Sequence, residues 1–181
     1  MRPANALLQA GSVSARTDPH LAAAPFRSPD VNLPKPPKPG PKLDDYPYRL
    51  TDNVRYGDLD PNHHVNNASY SVYFETGRVS LIRDPQFGLM PDGLSWVLAH
   101  LAIDFKAEVH WPGTIELGLA VTRFGRTSVT YDQVVFYNGQ CAAQALSVTV
   151  LVDRLSRKPT PLTDQVTAKF RPWLRRDVAG S

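Results

Sequence analysis

The densest group of side chains able to do chemistry lies in the run Asp58-Leu59-Asp60-Pro61-Asn62-His63-His64-Val65-Asn66-Asn67. Asp60 and His64 stand four residues apart, so a helical turn would bring a carboxylate and an imidazole to one point, with Asn62 between them. Such a set can attack an activated carbonyl, deprotonate a water or orient one. The same residue types also build turns and helix caps, and Asp before Pro and Asn is ordinary turn chemistry. By spacing alone both readings of Asp60 stand. His64 reads either as an acid–base group or as a ring satisfied by backbone, and His63 reads as surface.

Asn66 and Asn67 fall where this polar run gives way to an aromatic, periodic segment. Backbone N–H groups at a helix start lack intrahelical acceptors, and the helix dipole adds partial positive charge, so together they suit an oxyanion. Tyr70 follows at a period that serves a core aromatic as well as a pocket wall. Glu75 precedes Arg78 by three residues, an ion-pair spacing on a helix. Farther on, Arg126, Thr127 and Ser128 place a guanidinium and two hydroxyls at a turn, where they hold a phosphate or face water. The five histidines form no His-Glu-x-x-His pair, so no metal site is expected. Cys141 is the single cysteine, which excludes an intramolecular disulfide and a thiolate cluster. Among Ala142, Ala143 and Ala145 it reads as a small packed hydrophobe.

These groups need a scaffold. Tyr70, Tyr73, Phe74, Gly77, Leu81 and Ile82 recur at the period of one helical face, and Asn67 or Ser69 supplies a start. Val72 and Val79 widen the apolar surface, which predicts an enclosed helix. Arg49 to Tyr56 reads as a strand before the helix. Four strands are expected after it, roughly Ser95 to Val109, Thr114 to Phe124, Thr127 to Tyr137 and Cys141 to Asp153, with Asn138-Gly139 a hairpin turn. Strand, helix and antiparallel meander make an α+β fold whose open sheet edges invite a second copy.

Ten of the 17 prolines precede Tyr48. Residues 1–44 are therefore expected to be a proline-rich flexible leader, followed by a domain over residues 45–174 and a C-terminal tail over residues 175–181. Residues 1–42 hold six basic and two acidic side chains, so the net +3 of the chain leaves −1 for residues 43–181. That balance excludes a basic body for nucleic acid. No stretch approaches the roughly 20 apolar residues of a membrane helix, and the first residues lack a secretory signal's apolar segment. No membrane partner is expected, and the location reads as cytoplasmic.

The segment from Val54 to Arg78, VRYGDLDPNHHVNNASYSVYFETGR, resembles the signature of the hotdog-fold acyl-CoA thioesterases related to 4-hydroxybenzoyl-CoA thioesterase. It carries Asp, three residues, His-Val-Asn-Asn, two residues, Tyr, then Tyr-Phe-Glu. Asp60 to Asn67 is also similar to the Asp-x-Asn-x-His-x-Asn-Asn element of plant acyl-carrier-protein thioesterases. In element order the likeness runs roughly from Tyr48 to Trp173. The resemblance implies a single hotdog domain, its antiparallel sheet wrapped around one central helix, paired into a dimer or tetramer with sites between subunits. It implies hydrolysis of an acyl-CoA or acyl-carrier-protein thioester to free acid and thiol, with no cofactor beyond the CoA of the substrate.

Asp60 falls at the family's catalytic aspartate, nucleophile or general base, with Asn62 and His64 as its companions. Asn66, Asn67, Tyr70 and Glu75 would contact the substrate, and the Arg126-Thr127-Ser128 hairpin looks like the one that meets CoA phosphates. Two alternatives stay open. Asp58 to His63 approximates the Asp-x-Asn-Pro-x-His motif of hotdog enoyl-CoA hydratases, with Asp60 replacing the asparagine, and some hotdog domains only bind acyl-CoA.

Overall fold

The computed structural model describes residues 40–176. The leader expected over residues 1–44 lies outside the described residues as far as residue 39, as does the tail from residue 177. Five strands, β1 (Tyr48–Asn53), β2 (Leu94–Phe105), β3 (Thr114–Phe124), β4 (Ser128–Tyr137) and β5 (Gln140–Asp153), form one sheet in the order β1-β3-β4-β5-β2. Every pairing is antiparallel. Between β4 and β5, Asn138 and Gly139 both take positive φ, 49° and 76°, as a tight two-residue hairpin requires.

Helix α1 (Asn67–Arg83) joins β1 to β2 and lies on one face of the sheet. Asn66 caps it by accepting from Ala68 N–H, and it stops at Asp84 because the following Pro85 pushes Asp84 into extended backbone. The expected apolar stripe is the buried one: Tyr70, Tyr73, Phe74, Leu81 and Ile82 face the sheet. They pack against Ile115, Leu117 and Val135 at one end and Leu119, Val129 and Tyr131 at the other. Gly77 permits the close approach, since a Cβ there would stand 3.3 Å from Gln133 Nε2.

Enclosure is only one-sided, a correction to the expected enclosed helix: Val72 and Val79 remain 52% and 41% exposed in the single chain. A second correction is helix α2 (Asp164–Phe170), which adds to the single helix expected. Its seven residues are too few to display an apolar period, and only Phe170 is buried. That ring plugs the end of the core, in edge contact with Trp96, Phe124 and Tyr131. On the opposite face of the sheet Tyr46 packs on Ala120, Val134 and Phe136, while Arg175 pairs with Asp132 and lies over the Tyr46 ring.

Candidate active site

The run from Asp58 to Asn66 is a closed loop and not a helical turn. Leu59 and Val65 pair as an antiparallel bridge, Asp60 N–H donates to His64 O at 3.0 Å, and His63 N–H donates to Asp60 O at 3.0 Å. His63 takes a left-handed φ of 65°, rarely adopted outside glycine, and so reverses the chain. Asp60 Oδ2 then lies 3.5 Å from His64 Nδ1, both side chains largely shielded. The two expected partners do meet, across a tight reversal and not along a helix. Asn62 contributes its backbone N–H, which donates to Asp60 Oδ1 at 2.8 Å, while the residue as a whole is exposed.

Asp58 has a different job. Its carboxylate accepts from Tyr73 Oη–H at 2.6 Å and from Arg55 N–H at 2.8 Å, and its carbonyl accepts from Asn66 N–H and Ser69 Oγ–H. These bonds pin the loop to α1. Tyr73 is fully buried, and burial together with the Asp58 carboxylate pushes its phenol pKa up, which keeps it a donor. Tyr73→Phe is expected to lower unfolding free energy by about 1.5–3 kcal/mol, the range for a hydrogen bond to a charged group. Urea unfolding checks it; an unchanged midpoint would mean that the loop stands without this bond.

At the start of α1, Asn66 Oδ1 takes the Ala68 N–H and Asn66 O takes the Ser69 N–H. The Asn67 N–H remains as a donor at the positive end of the helix. Asn67 lines a cleft of about 270 Å³ together with His64, Val65 and Tyr70 from one side and Phe105, Lys106, Ala107 and Glu108 from the other. Tyr70 is buried, its ring edge-on to Phe105 at 5.2 Å, and its hydroxyl reaches Ala107 O at 3.5 Å. Asp60 does not itself line the cleft in the single chain; His64 stands between.

The far wall is not foreseen from sequence. The strand expected over Ser95 to Val109 ends at Phe105, because Lys106 and Ala107 both turn their N–H groups to Ala142 O and leave the ladder. Asp104, Lys106, Glu108 and His110 alternate as the wet face of a strand does, so no local signal marks a cleft wall. His110 Nδ1 approaches His63 O at 3.2 Å, and its Nε2 lies 3.4 Å from Glu108 Oε2.

Two expectations about charge fare differently. Glu75 is exposed, and its expected ion pair with Arg78 does not form, because Arg78 turns inward to Gln133. Arg126 and Thr127 lie in the turn between β3 and β4, where Arg126 O and Thr127 O accept from Leu162 and Leu151, and Ser128 opens β4. That turn adjoins the Ser128 end of β4, whereas the Asp60 loop adjoins the Tyr137 end, through Val109, Ala142 and Gly113. The ten residues of β4 span roughly 30 Å, so one chain does not bring the two groups together. Cys141 is half-buried, and burial raises its thiol pKa, against a thiolate nucleophile.

A family model of the Thioesterase-like superfamily matches residues 54–170. The chain belongs to the thioesterase-like superfamily. This is the hotdog thioesterase family that its Val54–Arg78 motif resembles. Similar to it is YneP of Bacillus subtilis, an inferred acyl-CoA thioesterase, 27% identical over 125 residues that cover 66% of this chain and 87% of YneP. The crystal structure of the PA5185 protein of Pseudomonas aeruginosa has a TM-score of 0.68 and 27% identity, covering 75% of this chain and 97% of that one. A thioesterase of Thermus thermophilus, solved with coenzyme A and zinc, has a TM-score of 0.62 and 27% identity over 76% of this chain and 98% of its own. Among the described residues of this superfamily member, no helix is long and apolar enough to cross a membrane.

Proposed function

We propose that this thioesterase-superfamily protein hydrolyses acyl-CoA thioesters to free acid and CoA, with the Asp60–His64 pair as its reactive centre. The observation that carries this reading is the 3.5 Å contact of the pair beside a cleft that the N-terminus of α1 also enters. One carboxylate oxygen is held by Asn62 N–H, and the other faces the imidazole. Two routes use this arrangement. In one, Asp60 attacks the thioester carbon, the C–S bond breaks to release CoA as its thiolate, and water opens the resulting anhydride to the free acid. In the other, the pair takes a proton from the water that attacks, and the C–S bond breaks as the CoA thiolate leaves and is protonated. In both, the carbonyl oxygen gains negative charge, which the Asn67 N–H and the α1 dipole stabilise. Tyr70 and Phe105 supply an apolar wall, and Lys106 a cation for the anionic thiol carrier.

The relative solved with coenzyme A supports CoA as that carrier. Thiol release from short, medium, long and aryl acyl-CoA, compared with acyl-carrier-protein thioesters, tests the reading. No release from any of them by folded protein would sink it. The chemistry calls for no group beyond the CoA of the substrate, and a cytoplasmic location suits it.

The site is proposed to be completed by a second copy. Among the described residues strand β2 pairs only with β5, so its twelve residues present an open edge there, with Val97, Leu98 and Phe105 exposed beside Val72 and Val79. A twofold pairing along β2 sets the Trp96 end of one strand beside the Phe105 end of the other. The second copy's Arg126–Ser128 hairpin then approaches this chain's Asp60 loop, which a single chain does not allow. Light scattering at micromolar concentration is expected to give twice the chain mass or four times it, and a strictly monomeric mass would refute the pairing.

A further inference from the structure

Arg78 is a buried cation of α1, 4% exposed. Its Nη1 donates to Gln133 Oε1 at 2.9 Å, an oxygen that also accepts from Ser147 Oγ at 2.8 Å. Gln133 is held in turn by donating from Nε2 to Phe74 O at 2.9 Å, so the guanidinium sits on a fixed, neutral partner. Among the described residues no carboxylate lies within ion-pair distance of it. A guanidinium has five N–H donors, and burying it with no counter-charge nearer than Glu75, which acts on it from beyond ion-pair distance, is unfavourable.

Nε and Nη2 of Arg78 have no partner among the described residues, yet neither is sealed off. Arg78 lines a cavity of about 180 Å³ between α1 and the start of β2. Arg83 adds a second cation, Glu75 one acid, and Met90, Trp96 and Leu98 apolar walls. A cation with its side-on pair of donors free, in a small cavity with carbon-lined walls, matches the planar fork of a carboxylate attached to carbon. A phosphate dianion would bring two charges and no apolar body for those walls.

We propose that this cavity is a carboxylate-binding site, in which Arg78 grips the anion and Trp96, Leu98 and Met90 pack the carbons behind it. The carboxylate has two possible sources. The cavity and the Asp60 cleft both open between α1 and β2, Leu98 lining one and Phe105 the other. From Tyr70 to Arg78 is eight helical residues, ~12 Å, a distance that an extended acyl chain of roughly ten carbons covers. The far end of a dicarboxylic acyl thioester is therefore one source, and this arm rests on the thioesterase reading. A free carboxylic acid is the other, and does not depend on it.

The test uses the full chain, its Arg78→Gln variant, and Met90→Trp, which fills the cavity from a residue outside the proposed pairing surface and leaves Arg78 in place. Calorimetric titration with hexanoate is compared with hexanamide, and kcat/KM for decanedioyl-CoA with that for decanoyl-CoA. The wild-type protein is expected to favour the carboxylate by about tenfold or more in at least one comparison, and both variants to lose that preference. Hexanoate binding alone assigns the site to a free acid; a decanedioyl preference assigns it to the substrate. A wild-type protein with neither preference, or variants that keep it, would overturn the proposal. The titration decides even if no thioester is turned over, so failure of the site and failure of the thioesterase reading are distinguishable.

Discussion

Asp60→Asn is expected to lower kcat for thioester hydrolysis by about a hundredfold or more, with KM and the unfolding midpoint nearly unchanged. The substitution keeps the volume and an oxygen able to accept from Asn62 N–H, so the loop closed by the Asp60–His64 and His63–Asp60 backbone bonds persists. What disappears is the charge facing His64 Nδ1. Neither an attack by carboxylate nor an imidazole base oriented by one survives that loss. Steady-state kinetics on the best acyl-CoA checks it, and a kcat within threefold of wild type would remove Asp60 from the chemistry.

His64→Gln separates the two routes. If Asp60 acts only through the imidazole, this variant loses as much as Asp60→Asn; if the carboxylate attacks directly, it keeps much more. Asp58→Asn is not a silent control, because Tyr73 Oη–H and Arg55 N–H both end on that carboxylate. Its effect should appear in stability, with activity following the folded fraction.

Phe170→Ala is expected to cost about 3–5 kcal/mol of unfolding free energy, the range for emptying a fully buried aromatic site. The ring is 0% exposed, with Trp96 at 5.4 Å, Tyr131 at 6.4 Å and Phe124 at 6.5 Å. Three rigid neighbours leave little scope for collapse into the void. Phe170 lies at the Ser128 end of the sheet, far from the Asp60 loop of its own chain, so kcat of the folded fraction at low temperature should stay close to wild type, any effect through the neighbouring Arg126–Ser128 hairpin appearing in KM. Denaturant unfolding gives the measurement. A loss below about 1 kcal/mol would show that α2 is only loosely docked and carries little of the core.

How far these elements are legible in the chain follows from the range of the forces that make them. The α1 stripe from Tyr70 to Ile82 and the limits of β3 at Thr114 and Phe124 can be read directly. A helix face and an alternating strand are set by residues within four positions of one another, flanked by turn formers. The chemistry-bearing residue types of Asp60 to Asn67 are equally plain. Their geometry is not: Asp60 meets His64 because His63 reverses in a left-handed conformation and Leu59 pairs with Val65.

The end of β2 is hidden because alternation from Asp104 to His110 continues after the backbone has left the sheet to bond Ala142. Helix α2 is hidden because one buried Phe in seven residues has no period to read. Arg78 shows the division most sharply, since local spacing offers Glu75 as its partner. The folded chain gives it Gln133, 55 positions away, because a helix packed on a sheet turns that side chain into the core, and no neighbour within a turn can report such a contact.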